Sequence, residues 1–155
     1  MPTSIQLRPV QADDIALFFE HHLEVRPLPV GASVDERKAT FTKGWEQMLA
    51  DESVLARTIE SEGAVAGYVV CSRQREKPTI SSWLGRKFWG HGIATKAVKA
   101  FVDLVEERPV YARVAYDNLA ALQVLRKIGF AIIGHDSFFS EAHGYEIDEI
   151  ICALA

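Results

Sequence analysis

The chain holds 155 residues, with 17 Lys and Arg against 21 Asp and Glu and a formal net charge of −4. That length suits one domain, residues 1–155, able to bury a real core. A composition 48% apolar and 25% charged is that of an ordinary globular protein, and the acidic balance supplies no electrostatic footprint for nucleic acid.

Ile5–Val10 alternates apolar and polar positions around Pro9, which predicts a short strand near a sheet edge. Gln11-Ala12-Asp13-Asp14 offers a helix start with acids at the positive end of the dipole. Ile15, Phe18, Phe19 and Leu23 then recur at helical spacing, and the prolines and glycine of residues 25–32 break the pattern. Ser33 with Glu36 three residues on matches a capping box. The helix it opens runs to about Ala50, with Phe41, Trp45, Met48 and Leu49 on one face.

Val54–Ile59 and Ala64–Cys71 are β-rich runs joined by Glu60-Ser61-Glu62-Gly63, a hairpin in which Gly67 marks a bulge or close packing. Arg73–Pro78 reads as a polar turn before a strand over Thr79–Leu84. From Gly92 the pattern is helical, with Ile93, Ala97, Phe101, Leu104 and Val105 inward, until Arg108-Pro109. Val110–Tyr116 is the next strand, and Asp117-Asn118 caps a helix carrying Leu119, Leu122, Leu125 and Ile128, with Gly129 as its C-cap. Ala131–Gly134 with Phe138-Phe139, then Tyr145–Leu154, supply the last strands. The order βααβββαβαββ predicts a mixed α/β (α+β) domain with a mostly antiparallel sheet and flanking helices, not a doubly wound one.

Cys71 and Cys152 sit in apolar runs and read as reduced core thiols, which makes a cytoplasmic protein the expectation. No apolar run approaches the roughly 20 residues of a membrane span. The opening MPTSIQLRPVQADD lacks the basic and apolar regions of a secretory leader. No Cys/His spacing suggests a metal, and the adjacent His21 and His22 cannot share one on a single helix face.

The stretch richest in chemistry is Thr79–Ala97, TISSWLGRKFWGHGIATKA. Gly90-His91-Gly92 stands where a strand gives way to a helix, so backbone can approach a ligand closely and the helix start offers unpaired N–H groups. Such loops bind phosphates, although the same glycines also fit a plain tight turn. A P-loop would need Gly-Lys-Ser/Thr separated from its first glycine by four residues, which is absent, and a dinucleotide fingerprint would need a glycine where Thr95 stands.

WLGRKFWGHGIATKAV, followed by YDNLAALQVLRKIGF at residues 116–130, resembles the GNAT superfamily of N-acetyltransferases, most of all the branch of the ribosomal-protein alanine acetyltransferases. The resemblance implies a sheet whose middle strands, Thr79–Leu84 and Val110–Tyr116, splay apart to admit acetyl-CoA. It places the pyrophosphate on backbone amides from about Phe88 to Thr95, that is Phe88, Trp89, Gly90, His91, Gly92, Ile93, Ala94 and Thr95. Trp83 and Leu84 would border the pantetheine arm, with the Leu84 N–H near the thioester in an oxyanion-hole role. Asn118 would bond the arm or line the acceptor site, beside Ala121. Lys87 replaces the family's usual Gln or Arg and can reach a phosphate only as a point charge.

Two departures bear on the chemistry. Ala121 stands where the family has a serine, and Leu125 where it often has the tyrosine that protonates the departing thiolate. A thiol of pKa near 8.5 leaves acceptably without an acid. Ser82 and Tyr116, flanking the strand gap, are the remaining candidates for relaying a proton. Without a strong base, an α-amine that is about 15% neutral at pH 7 is a far easier acceptor than a lysine that is about 0.04% neutral. A peptide N-terminus or small-molecule amine is therefore the expected acceptor, with the protein a monomer or homodimer. Glu24, Glu141 and His143 fall in segments that rim the acceptor pocket in this family. The rival readings are a non-catalytic acyl-CoA-binding module and transfer of a different acyl group.

Overall fold

The computed structural model describes residues 4–25, 28–140 and 144–155. Strand β1 (Ile5–Arg8) is followed by helices α1 (Ala12–Val25) and α2 (Val34–Ala50) and by strands β2 (Leu55–Ser61), β3 (Ala64–Gln74) and β4 (Lys77–Leu84). A 3-10 turn over Arg86–Phe88 leads into α3 (Ile93–Val102), then β5 (Val110–Ala115), α4 (Leu119–Ile128), β6 (Ala131–Ser140) and β7 (Tyr145–Leu154). This is the element order read from the sequence. Glu141 and His143 lie outside the described residues.

Local chemistry explains most of the boundaries. Ser33 caps α2, its hydroxyl accepting the Glu36 N–H at 3.2 Å. Gly129 ends α4 in the left-handed region at φ 117, which favours glycine. The β2–β3 and β3–β4 hairpins close through two residues of positive φ, Glu62 with Gly63 and Arg75 with Glu76, the twist that suits right-handed strands. The expected turn over Arg73–Pro78 therefore shrinks to Arg75-Glu76, and β3 and β4 pair as far as Gln74 and Lys77. Likewise β6 is one continuous strand with a register shift between Ile132 and Gly134, rather than two pieces.

One sheet runs in the order β1-β2-β3-β4-β5-β7-β6, with β1 at an edge. Every neighbouring pair is antiparallel except β4 with β5, which are parallel and meet at only two positions, Thr79 with Tyr111 and Ile80 with Ala112. Beyond Ile80 the two middle strands part, so the expected splay is present.

Each face of the sheet carries its own core. On one side α3 and α4 cover Ile59, Val69, Ile80, Val110, Ala112 and Cys152 with Ile93, Phe101 and Leu125. On the other, Ile15 and Phe18 of α1 and Trp45 of α2 pack on Ala56 and Val70. Each fully buried large side chain stabilises the fold by about 1.5–3 kcal/mol. Three residues expected in the core are exposed instead, namely Leu49, Leu104 and Leu119. They lie at the end of α2, past the end of α3 and at the start of α4, where the helices no longer face the sheet.

Candidate active site

Backbone register dictates what lines the gap between β4 and β5. The Gly85 N–H bonds the Ala66 carbonyl at 2.9 Å, extending the β3–β4 ladder one step past the Gly67 and Leu84 pair. In an antiparallel ladder residues alternate between bonding the neighbour and facing away from it. Ser81, Trp83 and Gly85 thus turn their backbone groups toward β3, while Ile80, Ser82 and Leu84 turn theirs toward β5. Ile80 finds β5 there, whereas Ser82 and Leu84 lie beyond the last pair. The Leu84 carbonyl accepts the Trp89 indole N–H at 3.0 Å. What remains facing the opening is the N–H and C=O of Ser82 and the N–H of Leu84.

The connection that follows leaves backbone and space open. Gly90 and Gly92 adopt φ of 78 and 75, and around each the space a side chain would fill is open. Gly92 is the N-cap of α3 and, having no side chain, leaves the first amides of the helix (Ile93, Ala94 and Thr95) without a side-chain cap. By contrast α1 and α2 carry acids in their first turns and α4 is capped by Asn118. The exposed Arg86, Lys87 and His91 surround the loop. The Arg86 guanidinium lies 5.7 Å from the Trp89 ring, and the Lys87 ammonium 5.2 Å from Phe88.

One part of the expected phosphate cradle is corrected. The amides of Phe88 and Trp89 are already bonded to the carbonyls of Gly85 and Arg86, because residues 86–88 close into a 3-10 turn. The open amides begin at Gly90. Ile93 offers only its amide, since its side chain is buried. The Asn118 side-chain oxygen accepts the Ala121 N–H at 3.2 Å, which leaves its amide nitrogen outside the cap. Leu125 is buried in the main core. Ser82 and Tyr116 are both exposed, at the two strand ends bordering the opening, and the Tyr116 N–H donates to the backbone carbonyl of Asp148 at 2.9 Å.

On the α1 and α2 side of the same strand end lies an aromatic group of which only Trp83 belongs to the site expected from the sequence, beside the pantetheine arm. The His22 ring stacks on Trp83 at 4.0 Å and 9°, and its Nε2 is 2.9 Å from the Tyr68 hydroxyl. Phe41 meets His22 edge-on at 5.1 Å. His21, the adjacent residue, is buried against Gly85 and Phe88. Glu24 is exposed at the last turn of α1. Further along the sheet Arg113 of β5 bonds Asp136 at 2.9 Å and Glu149 at 3.0 Å. With Arg113 and Arg75 both on its carboxylate, Asp136 is held down to a pKa of about 2. Among the described residues no cluster of His, Cys, Asp and Glu is arranged for a metal, and no helix is long and apolar enough to cross a membrane.

Several solved structures share this architecture. The RimL ribosomal L7/L12 alpha-N-protein acetyltransferase in complex with coenzyme A superposes with a TM-score of 0.80 at 17% identity, over 97% of this chain and 93% of that one. For Mycobacterium smegmatis RimJ in complex with CoA-disulfide the values are 0.77, 24%, 97% and 81%. For the microcin C7 self immunity acetyltransferase MccE in complex with acetyl-CoA and AMP they are 0.77, 19%, 97% and 92%. No curated protein matches the sequence. The model of the acetyltransferase (GNAT) domain matches residues 4–131. With most of its length matched, and the splayed sheet and glycine loop in place, the chain belongs to the GNAT acetyltransferase family.

Proposed function

We propose that residues 1–155 act as a single-domain, cytoplasmic N-acetyltransferase that moves an acetyl group from acetyl-CoA to a primary amine by direct attack in a ternary complex. The observation that carries this reading is the early end of β4–β5 pairing, which leaves Ser82 and Leu84 backbone groups facing an opening that leads to the bare start of α3. A pantetheine arm is an extended chain of amides, and it fits that unpaired edge as an added strand would. Its pyrophosphate falls to the amides from Gly90 to Thr95, helped by Arg86 and Lys87. The free, buried Cys71 and Cys152 suit a reducing compartment.

Bound acetyl-CoA supplies a thioester whose C–S bond breaks as the new C–N bond forms, giving an amide and the coenzyme thiol. The Leu84 N–H donates to the acetyl oxygen as it gains negative charge, and losing one such donor costs roughly 10²–10³ in rate. The Asn118 side-chain amide steadies the arm. Ser82 and Tyr116 carry hydroxyls able to pass a proton to the leaving sulfur, which with a pKa near 8.5 asks little of an acid. The acceptor sits on the Trp83 and His22 side, and an α-amine or another amine of low pKa is the preferred class because it is neutral often enough to attack.

Release of coenzyme A across a panel of peptides and small amines, repeated with Gly92→Trp, tests the reading. Turnover with α-amines, lost together with coenzyme affinity in a folded Gly92→Trp variant, is the expected result. Tight coenzyme binding with no turnover on any amine would favour a binding module instead, and unchanged affinity in the variant would remove the loop from the site.

A further inference from the structure

Gly85 is the residue directly after Leu84, and its glycine identity has no backbone cause. Its φ of −61 and ψ of 147 are open to any residue. What excludes a side chain is His21. A Cβ on Gly85 would lie 2.7, 2.8 and 2.9 Å from the Cδ2, Nε2 and Cγ of that imidazole. Three ring atoms at nearly one distance mean that the ring lies flat over the spot. The same ring meets Phe88 edge-on, with centroids 6.2 Å apart. His21 is 7% exposed, and its Nδ1 is buried with no hydrogen-bond partner among the described residues.

We infer that the His21 ring is a positioning residue, a wedge from α1 that fixes the backbone at Gly85 and thereby aims the Leu84 N–H at the acetyl oxygen. The inference rests on the reading of Leu84 given above. The backbone there is held on its other sides by the Gly85 N–H on the Ala66 carbonyl and by the Trp89 indole on the Leu84 carbonyl. His21 supplies the remaining wall. A small displacement of a transition-state donor is expensive, so the wedge acts on the chemical step more than on coenzyme binding, which is anchored at the phosphates.

The wedge is also sensitive to acid. Burial pushes the His21 pKa below its usual 6.5. Of the charged groups facing it, Glu24 and Glu20 on α1 pull the pKa back up, and Lys87 on the adjoining turn pushes it further down. A protonated ring has no anion in contact with it among the described residues and must leave its seat to be hydrated.

The test combines kinetics and amide NMR on the full chain. In the wild type, the Leu84 and Gly85 amide cross-peaks should shift with a midpoint below pH 6.5, and His21→Leu should abolish that titration. His21→Leu should lower kcat about tenfold or more while the KM for acetyl-CoA stays within twofold. A variant with wild-type kcat, one in which kcat and KM change together, or cross-peaks that ignore the pH range would each overturn the inference. Should His21→Leu fail to fold, the wild-type titration still decides. Should no amine be acetylated, the transfer reading fails while the cross-peaks report on the wedge independently.

Discussion

The carbonyl oxygen of Trp83 lies 1.9 Å from where a Cβ on Gly67 would stand. Strand β3 therefore runs beside the end of β4 at a separation only glycine allows, and the carbonyl it approaches belongs to the same peptide group as the Leu84 N–H. Gly67→Ala sets backbone against backbone and is expected to cost about 3 kcal/mol. Thermal denaturation should show a fall of about 6–12 °C for a chain of this size. Because the displaced group is the Trp83 carbonyl, transfer activity should fall further than stability alone accounts for.

Trp89 ties the glycine loop to β4 through its indole N–H on Leu84. Trp89→Phe keeps most of the ring and removes the hydrogen bond, worth about 1 kcal/mol. Calorimetry should show coenzyme A binding about fivefold weaker, with the melting temperature changed by less than about 4 °C.

Asp14 anchors the start of α1 to β1 and β2. Its carboxylate accepts two bonds from Arg8 at 2.7 and 2.8 Å, one from the Gln11 N–H at 2.8 Å and one from the Thr58 hydroxyl at 2.8 Å. Burial on its own would raise the Asp14 pKa, but these four donors outweigh it and hold the group below its usual 3.8. A depressed carboxyl pKa contributes stability that is present above 3.8 and lost as pH falls through the lower folded value. Asp14→Asn should cost about 3 kcal/mol at pH 7, since it leaves Arg8 without its buried partner. In urea titrations at pH 3 the gap between variant and wild type should narrow.

In the proposed mechanism the acceptor arrives on the side where His22 stacks on Trp83. Tyr68→Phe removes the hydroxyl that meets His22 at 2.9 Å, at a cost of about 1 kcal/mol. Steady-state kinetics should show a raised KM for the acceptor amine with the KM for acetyl-CoA unchanged. A change confined to the coenzyme would place the acceptor elsewhere.

Features set by a few consecutive residues were legible in the sequence. The caps at Ser33, Asn118 and Gly129 and the positive-φ glycines 90 and 92 are local events, and their signatures are local too. The turn at Arg75-Glu76 escaped because neither residue advertises a left-handed backbone, and the strands on either side supply the constraint. The histidine pair escaped for a different reason. Adjacent helical positions point about 100° apart, so His21 reaches the loop and His22 reaches Trp83, and which neighbour each meets depends on how α1 docks. The Phe88 and Trp89 amides looked available because nothing in the sequence fixes where a 3-10 turn closes.

The two lone pairings between β4 and β5 carry a mechanical consequence. Strands β1–β4 and β5–β7 are two panels whose backbones are joined at Thr79 with Tyr111 and Ile80 with Ala112. A ligand bonded along Ser82 and Leu84 on one panel and to Asn118 on the other acts as a splint across that seam. Amide hydrogen exchange should therefore slow in β5 and β7 when coenzyme A is added, at residues that no phosphate approaches. The join that is weakest in the free protein becomes the place where occupancy of the site is felt by the whole sheet.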